Sequence, residues 1–150
     1  MTNRMGCSVL IGIIITGHGH FASGIVSTIK LLSGSQQKLT AVDFTEGMTA
    51  EELQTHLTKA VKDLGDVSGV AFFTDIPGGT PFNQAVLYHT QHKETTVMAG
   101  TNVSMVMEVL FQRELSAGQF TTVALQAGKA GVVAYKSRPR QAAADDEDGI

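Results

Sequence analysis

Two short segments hold the side chains best suited to chemistry. In ITGHGHFASG (residues 15–24), Gly17 and Gly19 bracket His18, and His20 follows two positions on. In FFTDIPGGTPFNQA (residues 72–85), Asp75 precedes the pair Gly78–Gly79 and then Thr80. A neutral imidazole has one donor and one acceptor nitrogen, and a carboxylate that accepts Nδ1–H fixes the tautomer. Nε2 then presents a lone pair, which makes it a nucleophile able to take a phosphoryl group. Asp75 would also stabilise the cationic ring that forms. Gly78, Gly79 and Thr80 lead into a predicted helix whose first N–H groups lack internal partners, a ready-made oxyanion site to which the Thr80 hydroxyl adds a donor. Gly17 and Gly19 permit close backbone approach to His18 and positive φ. All of this requires His18 and Asp75 to face each other, so the elements that carry them matter.

Short β-branched runs alternate with amphipathic ones, the pattern of parallel strands joined by crossover helices. VLIGIII (9–15) reads as a central strand, apolar on both faces. The next segment sets Ile25, Ile29 and Leu32 at helical spacing and stops at Gly34. KLTAVDF (38–44) is a second strand. Thr49 and Glu52 then form a capping box before a stripe of Leu53, Leu57, Val61 and Leu64 that ends at Gly65. GVAFFTD (69–75) is a third strand, followed by a helix with Pro81 in its first turn. TTVMAG (95–100) is a fourth strand, and Asn102 caps the helix after it. TTVALQ (121–126) and GVVAYK (131–136) read as short strand-like pieces.

The expected architecture is α/β: one doubly wound domain over residues 1–136, four parallel strands in the order 2-1-3-4, and helices on both faces. Residues 137–150, SRPRQAAADDEDGI, have little to bury and read as a flexible tail. Ligands of such sheets bind beyond the carboxyl ends of the strands, where strand order reverses. Strands one and three flank that point, which sets His18 opposite Asp75. The predicted helix over 102–115 is apolar most of the way round, whereas one covering a sheet needs a stripe of about 100°. The surplus predicts a homodimer contact; the alternative is that the C-terminal strands cover it within one chain.

Composition narrows the function classes. At 150 residues the chain suits one domain, and 43% hydrophobic with 17% charged residues is ordinary for a globular protein. A net charge of −3 gives no reason to expect nucleic acid or an anionic membrane as partner. No apolar stretch reaches the roughly 18 residues of a membrane helix. Arg4 before VLIGIII faintly resembles a signal peptide, but that run leads into Gly-His-Gly rather than a cleavage site. The single Cys7 excludes an intrachain disulfide and fits a reducing, cytoplasmic location.

Two rival chemistries use the same residues. Gly17, Gly19 and Ala22 match the dinucleotide fingerprint G-x-G-x-x-G/A, and Asp43 ends the second strand where a ribose-binding acid would sit. Against this, the chain supplies barely one nucleotide-binding half. His18, His20 and Asp75 could form a metal site, although no further ligand-rich motif accompanies them. His20 otherwise reads as a loop residue or pocket wall, and His56, His89 and His92 as solvated residues without partners. A ligand-sensing dimer without catalysis is a further reading that the fold class alone supports.

The strand ending in TGHGHFASG, the loop FFTDIPGGTPFNQA and the later AGTNVSMVMEVLF resemble the IIA component of bacterial sugar phosphotransferase systems, mannose–fructose–sorbose class, over residues 9–115. TGHGHFASG, GGTPF and the terminal DDEDGI look most like its N-acetylgalactosamine or galactosamine branch. The resemblance implies a fifth, antiparallel strand that can swap between subunits of a homodimer, with GVVAYK its candidate. It implies that His18 accepts phosphate from the phosphocarrier HPr and passes it to the cognate IIB component, which serves the membrane components IIC and IID. Asp75 matches the family's orienting aspartate and Thr80 the hydroxyl residue of its glycine loop, with no cofactor or metal required. His20 and Pro77 depart from the residues usual at their positions.

Overall fold

The computed structural model describes residues 9–139. The β-branched run forms strand β1 (Ile11–His18), which starts two residues later than predicted and extends through His18 itself. Helix α1 (Phe21–Ser33) leads to β2 (Leu39–Phe44), α2 (Ala50–Leu64) to β3 (Gly69–Thr74), and α3 (Thr80–Gln91) to β4 (Thr95–Met98). Two helices complete the chain, α4 (Val103–Val109) and α5 (Ala117–Ala130). The strands are all parallel, in the order β2-β1-β3-β4 that the sequence predicts. None of the described helices is long and apolar enough to cross a membrane.

Alternation along the central strands splits the core in two. Ile11, Ile13 and Ile15 of β1 and Ala71 and Phe73 of β3 pack with Ile29, Met105, Val106, Val109 and Phe120 on one face. Ile14, Val70 and Phe72 point the other way, onto Leu53, Leu57, Leu64, Ala85 and Tyr88 of α2 and α3. The Thr49–Glu52 capping box is present, so α2 begins where the sequence places it. On α1 the buried positions are Ala22 and Ile29, whereas Leu32 lies about half exposed.

Three expectations are corrected. TTVALQ is helical: it lies inside α5, which opens with a Ser116–Gln119 capping box and buries Phe120, Ala124 and Gly128 at i, i+4 spacing. Thr121 and Thr122 satisfy their hydroxyls on the carbonyls of Ala117 and Gly118, one turn back. β-propensity is a weak prior when a cap and a buried face oppose it. GVVAYK forms no ladder within this chain; Val132, Val133 and Tyr135 are exposed. The helix predicted over 102–115 stops at Val109, and α5 covers it so closely that a Cβ on Gly128 would stand 3.3 Å from Met105. A helix, rather than C-terminal strands, thus covers part of its surplus apolar surface, while Phe111 stays exposed.

At the amino end of the sheet, buried Arg113 closes the structure. Its guanidinium donates to the carbonyls of Ile11, Gln37 and Lys38. Burial pushes its pKa below the usual guanidinium value. The opposite, carboxyl end of the sheet carries the candidate site.

Candidate functional site

His18 is the last residue of β1, and Asp75 follows β3 directly. Because the two strands are paired neighbours, their ends present these side chains to each other. His18 Nδ1 lies 2.7 Å from Asp75 Oδ2, and the backbone N–H of His18 donates to the same oxygen at 2.9 Å. The N–H of Ile76 donates to Oδ1 at 2.8 Å. Burial pushes the Asp75 carboxyl upward, but the hydrogen bonds from His18 and Ile76 outweigh it and hold the group below its ordinary range. An ionised Asp75 places the ring proton on Nδ1 and leaves the Nε2 lone pair free. The side chains are 46% and 12% exposed, so the carboxylate is sheltered and the imidazole open. Phe44, at the end of β2, meets the imidazole edge-on at 5.8 Å between ring centres.

The glycines divide into two roles. Gly17 and Gly79 are required for room. A Cβ on Gly17 would stand 2.5 Å from Phe21 Cδ1 and 3.1 Å from Asp75 Cβ, and one on Gly79 would stand 2.8 Å from His18 Cε1. Gly19 and Gly78 have open space but φ of +58° and +79°, which L side chains adopt at a cost. The expectation of positive φ thus holds for Gly19 and not for Gly17. Gly79 is the N-cap of α3 and Thr80 its first residue, so this helix starts beside the imidazole. Asn83, which the sequence reading passed over, donates from Nδ2 to the Gly78 carbonyl and ties the loop to the helix.

A second imidazole–carboxylate pair stands next to the first. His20 Nδ1 lies 3.2 Å from Asp43 Oδ2. Ser23 donates to Asp43 from its N–H at 2.9 Å and its hydroxyl at 2.6 Å. α1 has no side-chain cap of its own; Asp43 supplies one from β2 by accepting that N–H. Both Asp43 oxygens are therefore engaged within the chain, which disfavours the ribose-binding role, and Ala22 of the supposed fingerprint is fully buried. His18 and His20 turn to different carboxylates, and among the described residues no cluster of three or more His, Cys, Asp or Glu could hold a metal ion. His89 and His92 are not solvated as expected: Nδ1 of the first contacts Thr95 Oγ1, and His92 stacks on Tyr88 with Nδ1 against its carbonyl. Cys7 lies outside the described residues. A surface recess of about 730 Å³ runs between β2 and α2 and includes Asp43, His56 and Asp63, but neither His18 nor Asp75 lines it.

The model of one protein family, described as the fructose IIA component of the phosphotransferase system (PTS), matches residues 12–124. The chain belongs to the PTS fructose IIA component family. This match spans both loops of the site. The fructose-specific EIIA component of Bacillus subtilis is 34% identical to this IIA chain over 105 residues, 70% of the chain and 72% of that relative. The mannose-specific EIIAB component of Escherichia coli K12 is 33% identical over 136 residues, 89% of the chain and 42% of the relative. The IIA chain thus spans about two fifths of the length of that EIIAB relative. A crystal structure of phosphotransferase system component EIIA from Streptococcus agalactiae superposes with a TM-score of 0.77 at 29% identity, covering 83% of this chain and 97% of that one. The mannose/sorbose-specific IIA subunit from Enterococcus faecalis gives a TM-score of 0.80 at 21% identity over 88% and 99% of the two chains, a likeness of fold. The resemblance to the mannose–fructose–sorbose class is borne out, as is the four-stranded parallel sheet.

Proposed function

We propose that this chain is a phosphohistidine carrier of the sugar phosphotransferase system. His18 Nε2 accepts a phosphoryl group from phospho-HPr and passes it to the cognate IIB component, which serves the membrane components IIC and IID. The observation that carries this reading is the 2.7 Å contact between His18 Nδ1 and Asp75 Oδ2. In the forward step the Nε2 lone pair forms the new N–P bond while the donor's N–P bond breaks and its electron pair returns to the donor nitrogen. The His18 ring becomes cationic, and its Nδ1–H stays on Asp75, which stabilises the charge. Gly79 and Thr80, at the start of α3, offer the phosphoryl oxygens backbone N–H groups and a hydroxyl, with Gly17, Gly19 and Gly78 shaping the loops around them. The route uses no metal or organic cofactor.

A half-exposed acceptor outside the recess fits a macromolecular donor whose docking is modest in area and transient. On this reading residues 1–136 form the carrier domain, of which 1–8 lie outside the described residues, and the protein works in the cytoplasm. It pairs as a homodimer in which exposed Val132, Val133 and Tyr135 find a partner. A monomeric mass at micromolar concentration would remove the dimer. The N-acetylgalactosamine branch rests on TGHGHFASG and GGTPF; DDEDGI lies outside the described residues.

Incubation with phosphoenolpyruvate, enzyme I and HPr tests the assignment. It should yield an acid-labile, base-stable phosphate that mass spectrometry localises to His18 and that His18→Ala abolishes. Label that persists in that variant would place the acceptor elsewhere.

A further inference from the structure

His20 combines two properties that rarely coincide: 81% of its side chain is open to solvent, yet its ring is held. Asp43 fixes Nδ1, and Ser23 fixes Asp43 through its N–H and its hydroxyl. Contacts this exposed add little to folding stability, so their consequence lies in what the ring presents to solvent. Burial raises the Asp43 carboxyl's pKa, but hydrogen bonds from Ser23 and His20 outweigh that and hold it below its ordinary range. The ionised carboxylate calls for the proton on Nδ1, and in the neutral ring Nε2 faces outward as an acceptor.

The position of His20 decides what meets it. Two residues along the chain, its Cα lies within about 7 Å of that of His18. Even a small protein–protein contact covers about 600 Å² per partner, equivalent to a disc of about 14 Å radius. Any protein that brings its reacting group to His18 therefore covers His20. We propose that His20 is a specificity-determining contact for the proteins that exchange phosphoryl groups with His18, its Nε2 accepting a hydrogen bond from a donor group of the partner. The inference rests on the carrier reading above. Because Asp43 holds the ring in advance, docking does not have to freeze it, and the contact keeps more of its value.

Transfer from phospho-HPr, measured at a series of donor concentrations, tests this. Wild-type chain must first take up the label; failure there overturns the carrier reading and this inference together. With labelling established, His20→Ala is expected to raise KM about fivefold, the worth of one ordinary hydrogen bond, while kcat stays within about twofold. His20→Gln, whose amide oxygen can stand near the Nε2 position, is expected to recover KM to within about twofold of wild type, with melting temperature unchanged in both variants. An unchanged KM in His20→Ala overturns the inference. A fall in kcat at constant KM overturns it too, because it would place His20 at the reacting atoms. Failure of His20→Gln to recover KM refutes the acceptor role.

Discussion

The sharpest test of the site is Gly79→Ala, because the backbone there already suits alanine and only space is at issue. Gly79 has φ −74° and ψ 168°, an extended conformation open to any residue. The added methyl would stand 2.8 Å from His18 Cε1 and 3.2 Å from Ile76 Cγ1. To regain an ordinary 3.4 Å contact the imidazole must retreat by about 0.6 Å. Free side-chain ends move that far at little cost, but this ring is tethered at Nδ1 by a 2.7 Å bond to Asp75. It must either stretch that bond or rotate about it, and both turn Nε2 away from the line of attack. Displacements of this order in a reacting group cost about 100-fold in rate, or about 2.7 kcal/mol of barrier. Folding changes less: alanine is a poorer N-cap than glycine, but it restricts the unfolded chain, so the two effects leave stability within about 1 kcal/mol. Rapid-quench measurement of transfer from phospho-HPr, beside urea unfolding, reads both quantities. Transfer at the wild-type rate by a folded Gly79→Ala chain would refute the idea that this glycine's missing side chain makes room for His18 as the proposed phosphoacceptor.

Other consequences can be checked alongside it. Asp75→Asn keeps the shape of the side chain but loses the charge that, on the carrier reading, stabilises the cationic ring; transfer should slow about 10- to 100-fold without unfolding, and unchanged kinetics would remove the orienting role. Gly78→Ala should lower stability by about 1–2 kcal/mol, because its φ of +79° strains an L residue although space is open; an unchanged urea midpoint would contradict this. Arg113→Met preserves volume but removes the guanidinium donor from the carbonyls of Ile11, Gln37 and Lys38, of which Lys38 keeps the Ile13 N–H, a loss of about 2 kcal/mol read by urea unfolding; a loss below about 0.5 kcal/mol would show that water replaces the guanidinium. Asp75 and Asp43 both titrate below the ordinary carboxyl value of 3.8, so the unfolded chain takes up protons before the folded one. Their contribution is complete above that value and is lost as pH falls through the lower folded values. Urea midpoints should therefore drop in acid, and less steeply in Asp75→Asn.

The sheet was legible because its strands are apolar runs separated by amphipathic helices, of which α2 carries a capping box, and the order 2-1-3-4 is one of those that doubly wound sheets adopt. That order alone brought His18 to Asp75. The failures came where a local preference met an unseen neighbour. Thr121, Thr122 and Val123 look like strand residues, but Ser116 and Gln119 are a capping pair that could have been read as a helix start. GVVAYK has the composition of a strand, yet nothing within this chain pairs with it. The Asp43 network depends on register: His18 pairs with Phe44, so Asp43 stands beside the turn that carries His20, a relation no spacing along the chain reveals. Asp43 was visible as a residue of interest, but Ser23, its principal donor, was not.

Anchoring of the sheet's amino end has a bearing on how such a carrier can diverge. A single guanidinium reinforces the β1–β2 ladder at the pole remote from His18, so that part of the hold on those strands does not depend on the loops around His18. His20, exposed at the opposite pole, can then be replaced without loosening that hold, so on the carrier reading a change of correspondents leaves the scaffold where it was.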